Sequence, residues 1–191
     1  MARPREFDER VAVERAMEAF WANGYEATST QQLCEATGLG RSSIYNTFTS
    51  KHELFRATLR HYDRTTTDMR GRILGTAEPI RDRLRTLLTA MIDDEFANDR
   101  RGCLAVNSLI EIGKRDEEVA TQLREDLSRF VADLAEAIAR AQRDGEIDKD
   151  KDPLALARFV HSTVGGIRMT IRLGVDRRTV TDIVEVALAA L

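Results

Sequence analysis

Apolar residues in this chain recur at three- and four-residue steps from one end to the other, the period of a helix rather than of a strand. Alternating β-branched runs closed by hairpin turns are missing. Prolines stand only at positions 4, 79 and 153, where they punctuate the pattern without breaking it. An all-α fold of about nine helices is expected.

The first helix is expected over about Asp8–Asn23, with Val11, Ala12, Ala16, Ala19 and Phe20 at helical spacing and Gly24 at its end. A second follows over about Ser29–Thr37, opened by the Thr28-x-x-Gln31 capping pattern and closed by Gly38. A third is very short, about Arg41–Thr47. Ser50, with Glu53 three residues on, opens a fourth that runs to about residue 73. Beyond the joint LGTAEP the pattern is longer and greasier. A fifth helix carries Ile80, Leu84, Leu87, Leu88, Met91 and Ile92, a sixth is GCLAVNSLIEIG, and a seventh shows Leu123, Leu127, Phe130, Leu134 and Ile138 on one side. After the loop RDGEIDKDKDP, Asp152 and Pro153 begin an eighth. The ninth carries Val180, Ile183, Val184, Ala187, Leu188 and Leu191. The chain is thus divided into a three-helix head, residues 1–50, and a helical body, residues 51–191, with the fourth helix (about 51–73) as the connection.

The third helix is unlike its neighbours. It spends only Ile44 and Phe48 on packing, against Leu33, Ala16 and Phe20 of the first two helices. Arg41, Ser42, Ser43, Tyr45, Asn46 and Thr47 are left outside, and these side chains are hydrogen bonders suited to phosphates and base edges. Together with the second helix and the turn TGLG it has the dimensions of a helix-turn-helix. Arg41 lies at the helix end that enters a major groove and could donate two bonds to a guanine. Tyr45, Thr28 and Thr30 suit phosphate oxygens. Lys51 begins the fourth helix, where its charge and the free backbone N–H groups favour an anion.

Charge agrees with a local interface. The chain as a whole carries −3, which argues against coating nucleic acid by bulk attraction. From Gly38 to Arg64, however, five basic residues (Arg41, Lys51, Arg56, Arg60, Arg64) face two acidic ones, Glu53 and Asp63. One head neutralises few phosphates and would bind weakly, so two heads, and hence a dimer, are expected.

The stretch AMEAFWANGYEATSTQQLCEATGLGRSSIYNTFTSKHELF, Ala16–Phe55, closely resembles the DNA-binding domain of the TetR family of bacterial transcriptional regulators. The resemblance is carried by the F…GY…TS block, the helix-turn-helix and the SIYNTFTSKHEL tail, and it covers about the first third of the chain. The body resembles the family only in its plan of helices, and GCLAVNSLIEIG is similar to a segment of one large subset. What the resemblance implies is a homodimer that sets each head on one half-site of a roughly palindromic double-stranded DNA operator, with its last two helices (about 153–174 and 177–191) forming a four-helix bundle with their copies. A small-molecule effector in the body would change the spacing of the heads. The DNA contacts fall by position at Thr28, Thr30, Arg41, Ser42, Ser43, Tyr45, Asn46 and Lys51. Gly40 departs from the Ser or Thr that many members have there.

Several residues of the body carry chemistry that packing alone does not require. Met91, Asn107, Glu111 and His161 could line a ligand cavity; the three polar ones could equally satisfy neighbouring backbone, and Met91 could belong to the core. Cys103, at the expected start of the sixth helix and near Arg100 and Arg101, is a candidate redox- or electrophile-sensing thiol, with simple packing as the alternative. Cys34 lies near the core and reads as packing. Gly165-Gly166 inside the eighth helix costs about 1 kcal/mol per residue relative to alanine, which close approach of a partner helix would offset. With the small apolar ending EVALAAL, this points to helices eight and nine as the subunit interface.

No metal-ligand spacing, phosphate loop, Ser-His-Asp order or cofactor motif is found, so no enzyme activity is expected. The chain lacks a run of roughly 18 apolar residues and an apolar leader, so a cytoplasmic protein without membrane contact is expected. A repressor relieved by its ligand is the favoured function. A thiol-sensing regulator or a transcriptional activator is the alternative.

Overall fold

A computed structural model describes residues 7–191. Among these residues there are nine helices and no strand: α1 Glu9–Asn23, α2 Thr30–Thr37, α3 Arg41–Phe48, α4 Lys51–Leu74, α5 Ile80–Ala97, α6 Leu104–Ile112, α7 Glu117–Arg143, α8 Pro153–Arg172 and α9 Arg177–Ala189. None is long and apolar enough to cross a membrane.

The chain forms two compact units. One joins the chain up to Thr65 to the segment Leu104–Thr121; the other comprises Thr66–Cys103 and Gln122–Leu191. This differs from a simple division near residue 50. The sixth helix, although distant in sequence, folds with the head, and α4 begins in one unit and ends in the other.

In the first unit α1 packs on α2, and α2 on α3. Ala16, Phe20, Leu33, Ile44, Leu54 and Phe55 are each almost completely buried, and the Phe20 and Phe55 rings meet edge to face at 5.0 Å. Trp21 meets Tyr62 the same way at 5.1 Å. Each of the buried leucine, isoleucine and phenylalanine side chains contributes about 1.5–3 kcal/mol, which is what holds so small a head together. From the second segment Leu104, Ile112, Val119 and Ala120 are also buried.

In the second unit α5, α8 and α9 pack on one another. Their inner faces join Phe130, Leu134, Ala137, Ile138 and Ala141 of α7 in one apolar core. Asp152 caps α8 as the sequence suggests, its carboxylate accepting from Leu154 N–H, and Asp176 caps α9, accepting from Thr179 N–H. Pro79 is the N-cap of α5. The Arg83 guanidinium is buried and donates to the Leu74 carbonyl at 2.8 Å, closing the C-terminus of α4. A buried Glu95 accepts from Gly102 N–H at 3.0 Å and lies 3.2 Å from Arg168 Nε.

Candidate nucleic-acid interface

The helix-turn-helix is built from its caps. Ser29 accepts from Gln32 N–H while the Gln32 side chain accepts from Ser29 N–H, a complete capping box. The cap is therefore Ser29 with Gln32, one residue later than the expected Thr28 with Gln31. Gly38 takes the left-handed conformation (φ 72°) that ends α2, and its N–H bonds the Cys34 carbonyl. Gly40 then caps α3 with no side-chain bond, at an ordinary φ of −68°. Thr49 ends α3 at φ 66°, unusual for a β-branched residue. Ser50 accepts from Glu53 N–H at 3.0 Å and starts α4, leaving Lys51 as its first residue.

These caps fix which way α3 faces. Ile44 and Phe48 turn inward, 1% and 7% exposed. Arg41, Ser42 and Asn46 are exposed, while Ser43, Tyr45, Thr30 and Lys51 are half-buried. The Arg41 guanidinium lies 5.6 Å from the centre of the Tyr45 ring. Lys51 Nζ lies 4.5 Å from the centre of the Tyr25 ring and donates to the Glu26 carbonyl at 3.4 Å. Burial, with Glu26 and Asp116 nearby, raises the Tyr25 phenol above its ordinary pKa and keeps that ring neutral beneath the ammonium.

Thr28 is a correction. It is completely buried, and its hydroxyl donates to the Gly24 carbonyl at 2.5 Å. It staples the α1–α2 turn and has no side-chain atom to offer a phosphate. The basic patch is also smaller than the composition suggests. Arg56 is held by Glu53 at 3.2 Å and by Glu118 at 2.7 Å, and Arg64 donates to His61 Nδ1 at 3.2 Å.

The segment Leu104–Thr121 contributes contacts that sequence reasoning missed. Asp116 meets His52 Nε2 at 2.7 Å. Burial pushes the Asp116 carboxyl up, but the Val119 N–H and the bond and charge of His52 outweigh it and hold its pKa below the ordinary value. His52, Glu53 and Glu118 bring ligand atoms within 4.8 Å of one another, the spacing of a metal site, but the Arg56 guanidinium bridges the two glutamates where a cation would sit.

The four candidate ligand residues do not come together in one unit. Met91 is buried in the core of the second unit, and His161, half-buried there, meets the Phe130 ring edge to face at 5.5 Å. Burial, then the charges of Arg168 and Arg70, lower the His161 pKa. Asn107 and Glu111 belong to the first unit. Both carboxylate oxygens of Glu111 are engaged by backbone N–H groups, those of Tyr25 and Glu26, so it is a backbone partner. Cys103 is half-buried immediately before α6, and Cys34 is half-buried in α2; neither is in a disulfide.

Family profiles match this chain over both its head and its body. The profile for "Bacterial regulatory proteins, tetR family" matches residues 12–58, and that for "Tetracyclin repressor-like, C-terminal domain" matches residues 79–187. The chain belongs to the TetR family. It is a DNA-binding transcriptional regulator of the kind its helix-turn-helix and helical body imply. Among its TetR-family relatives, the transcriptional repressor ComR of Escherichia coli (strain K12) is 29% identical over 97% of this chain and 90% of its own length. The regulator YezE of Bacillus subtilis (strain 168) is 30% identical over the full length of both. A structure of the TetR-family regulator CifR, a cysteine-substituted variant in complex with 26-bp double-strand operator DNA, superposes with a TM-score of 0.88 at 32% identity, covering 98% of this chain and 99% of that one.

Proposed function

We propose that this regulator is a repressor that binds a roughly palindromic operator as a homodimer and is released by a small-molecule effector bound in its C-terminal domain, and that it works in the cytoplasm. The observation that carries the DNA half is the division of α3, whose Ile44 and Phe48 are buried while Arg41, Ser42 and Asn46 stand bare. Arg41, Ser42, Ser43 and Asn46 are placed to read base edges. Thr30, Tyr45 and Lys51 hold phosphates on either side, Lys51 with the free N–H groups of the first turn of α4. The repressor assignment is supported by the name of ComR, and operator binding by the CifR complex.

The dimer is supported by apolar residues that α8 and α9 leave uncovered: Phe159, Met169, Leu173 and Val186 are 42%, 57%, 77% and 73% exposed. Phe159 and Met169 of α8 and its C-cap Leu173 fall on one stripe with Gly166, beside which a Cβ would meet nothing within 4 Å. Such a stripe fits close approach of a twofold-related helix pair.

The direct test is operator binding by Tyr45→Ala and Lys51→Ala. Both are expected to lose at least about tenfold in affinity, the effect of one or two lost charge-assisted or phosphate bonds. Helix content and dimerisation should stay unchanged. Unchanged affinity in both variants would remove the proposed interface.

A further inference from the structure

Glu111 lies in α6, yet its carboxylate is spent on the head. Oε2 accepts from Tyr25 N–H and Oε1 from Glu26 N–H, each at 2.9 Å, so two successive backbone donors of the α1–α2 turn converge on one charged acceptor. The chain makes room for it. Gly24, just before the pair, has φ +82°, and a Cβ there would sit 2.9 Å from both Glu111 oxygens.

What this carboxylate grips is the support of Lys51. The Glu26 carbonyl accepts from Lys51 Nζ, and the Tyr25 ring lies under the same ammonium. A second acid of the same segment, Asp116, bonds His52, the neighbour of Lys51 in α4, and is itself fixed by Val119 N–H at 3.0 Å. The segment Leu104–Thr121 therefore connects to Lys51 indirectly by two routes, through the backbone that carries its Glu26 and Tyr25 contacts and through the next residue of its helix.

We propose that Glu111 is a positioning residue for operator binding, holding the backbone of Tyr25 and Glu26 so that the Glu26 carbonyl and the Tyr25 ring present the Lys51 ammonium to a DNA phosphate. Glu111 itself makes no DNA contact and, as an anion, would be repelled by one. Its effect passes entirely through Lys51. The inference rests on the phosphate role assigned to Lys51 above.

The test is a double-mutant cycle on the full-length protein, with operator affinity measured across a series of salt concentrations for wild type, Glu111→Ala, Lys51→Ala and the double variant. Lys51→Ala is expected to flatten the slope of log K against log salt by about one per head. Glu111→Ala is expected to flatten it by a similar amount. The double variant should bind no more than about twofold more weakly than Lys51→Ala alone, because the second change removes a support whose load is already gone. A Glu111→Ala protein with the wild-type slope, or one whose loss simply multiplies that of Lys51→Ala, overturns the inference. If Lys51→Ala itself keeps the wild-type slope, the phosphate role of Lys51 falls and takes this proposal with it, an outcome distinct from failure of Glu111 alone. Should Glu111→Ala lose helical content, Glu111→Gln serves instead. It keeps the shape but turns an amide donor toward one of the two N–H groups, and it too should flatten the slope; a wild-type slope in Glu111→Gln contradicts the proposal.

Discussion

Thr30 and Tyr45 share a hydroxyl–hydroxyl hydrogen bond of 2.9 Å that ties the first residue of α2 to the middle of α3. One hydroxyl donates its only hydrogen and the other accepts, so the accepting hydroxyl alone keeps an O–H to donate to a phosphate oxygen while this bond is made. The bond fixes the outward side chain of α3 against the helix behind it, and so fixes the two proposed phosphate ligands relative to each other.

Tyr45→Phe should separate this tie from the bulk of the ring. The ring keeps its place beside Arg41, and only the hydroxyl is lost. A cost of about 0.5–1.5 kcal/mol in operator affinity is expected, the net worth of one hydrogen bond, with a thermal midpoint close to wild type. Titration of labelled operator measures it. Affinity equal to wild type would mean that Tyr45 works only through its ring.

Met169→Asp should split the dimer. Met169 is 57% exposed on the α8 stripe, so an aspartate there costs its own subunit only the modest penalty of an acid in the last turn of a helix, but would bury a charge at a twofold contact. Sedimentation is expected to show a folded monomer, with operator affinity reduced at least about a hundredfold through loss of the second head. A variant that remains dimeric places the contact elsewhere.

Acid should destabilise the fold through two histidines. Burial, then the charges of Arg168 and Arg70, lower the pKa of His161. Burial, then Arg64, lowers that of His61, with Glu14 opposing and Arg10 adding to the effect. Both stay neutral in the native state at a pH where the unfolded chain already takes up protons, near 6.5. Their contribution is therefore intact above that value. Stability falls as the pH drops below it, by at most about 1.4 kcal/mol per pH unit for each histidine. Urea unfolding at pH 7.5 and pH 5.5 should show the loss in wild type and a smaller loss in His161→Gln. An equal loss in the variant would show that His161 carries none of it.

Much of the fold is legible in the sequence. The helical period, the cap at Asp152, and the thin inner face of α3 all follow from local sequence, because each depends on residues within one or two turns. The capping box at α2 is ambiguous there because Thr28-x-x-Gln31 and Ser29-x-x-Gln32 overlap. Burial of Thr28, a tertiary effect, selects the second. Glu111 stands out as a polar residue on an apolar stretch, but its partners are backbone groups 85 and 86 positions away, which no side-chain pattern announces. The same holds for Asp116 with His52 and for Glu118 with Arg56, pairs that draw α6 and the start of α7 into the head and reduce its basic patch.

The most direct measurement is selection of duplexes from a random DNA pool by the wild-type protein, repeated with Arg41→Ala and Asn46→Ala. The expected result is a roughly palindromic sequence whose half-sites are separated by whole helical turns, about 34–36 Å per turn, with preference relaxed at particular positions in each variant. Enrichment of no common sequence, or the same sequence enriched unchanged by both variants, would contradict recognition through the bare face of α3.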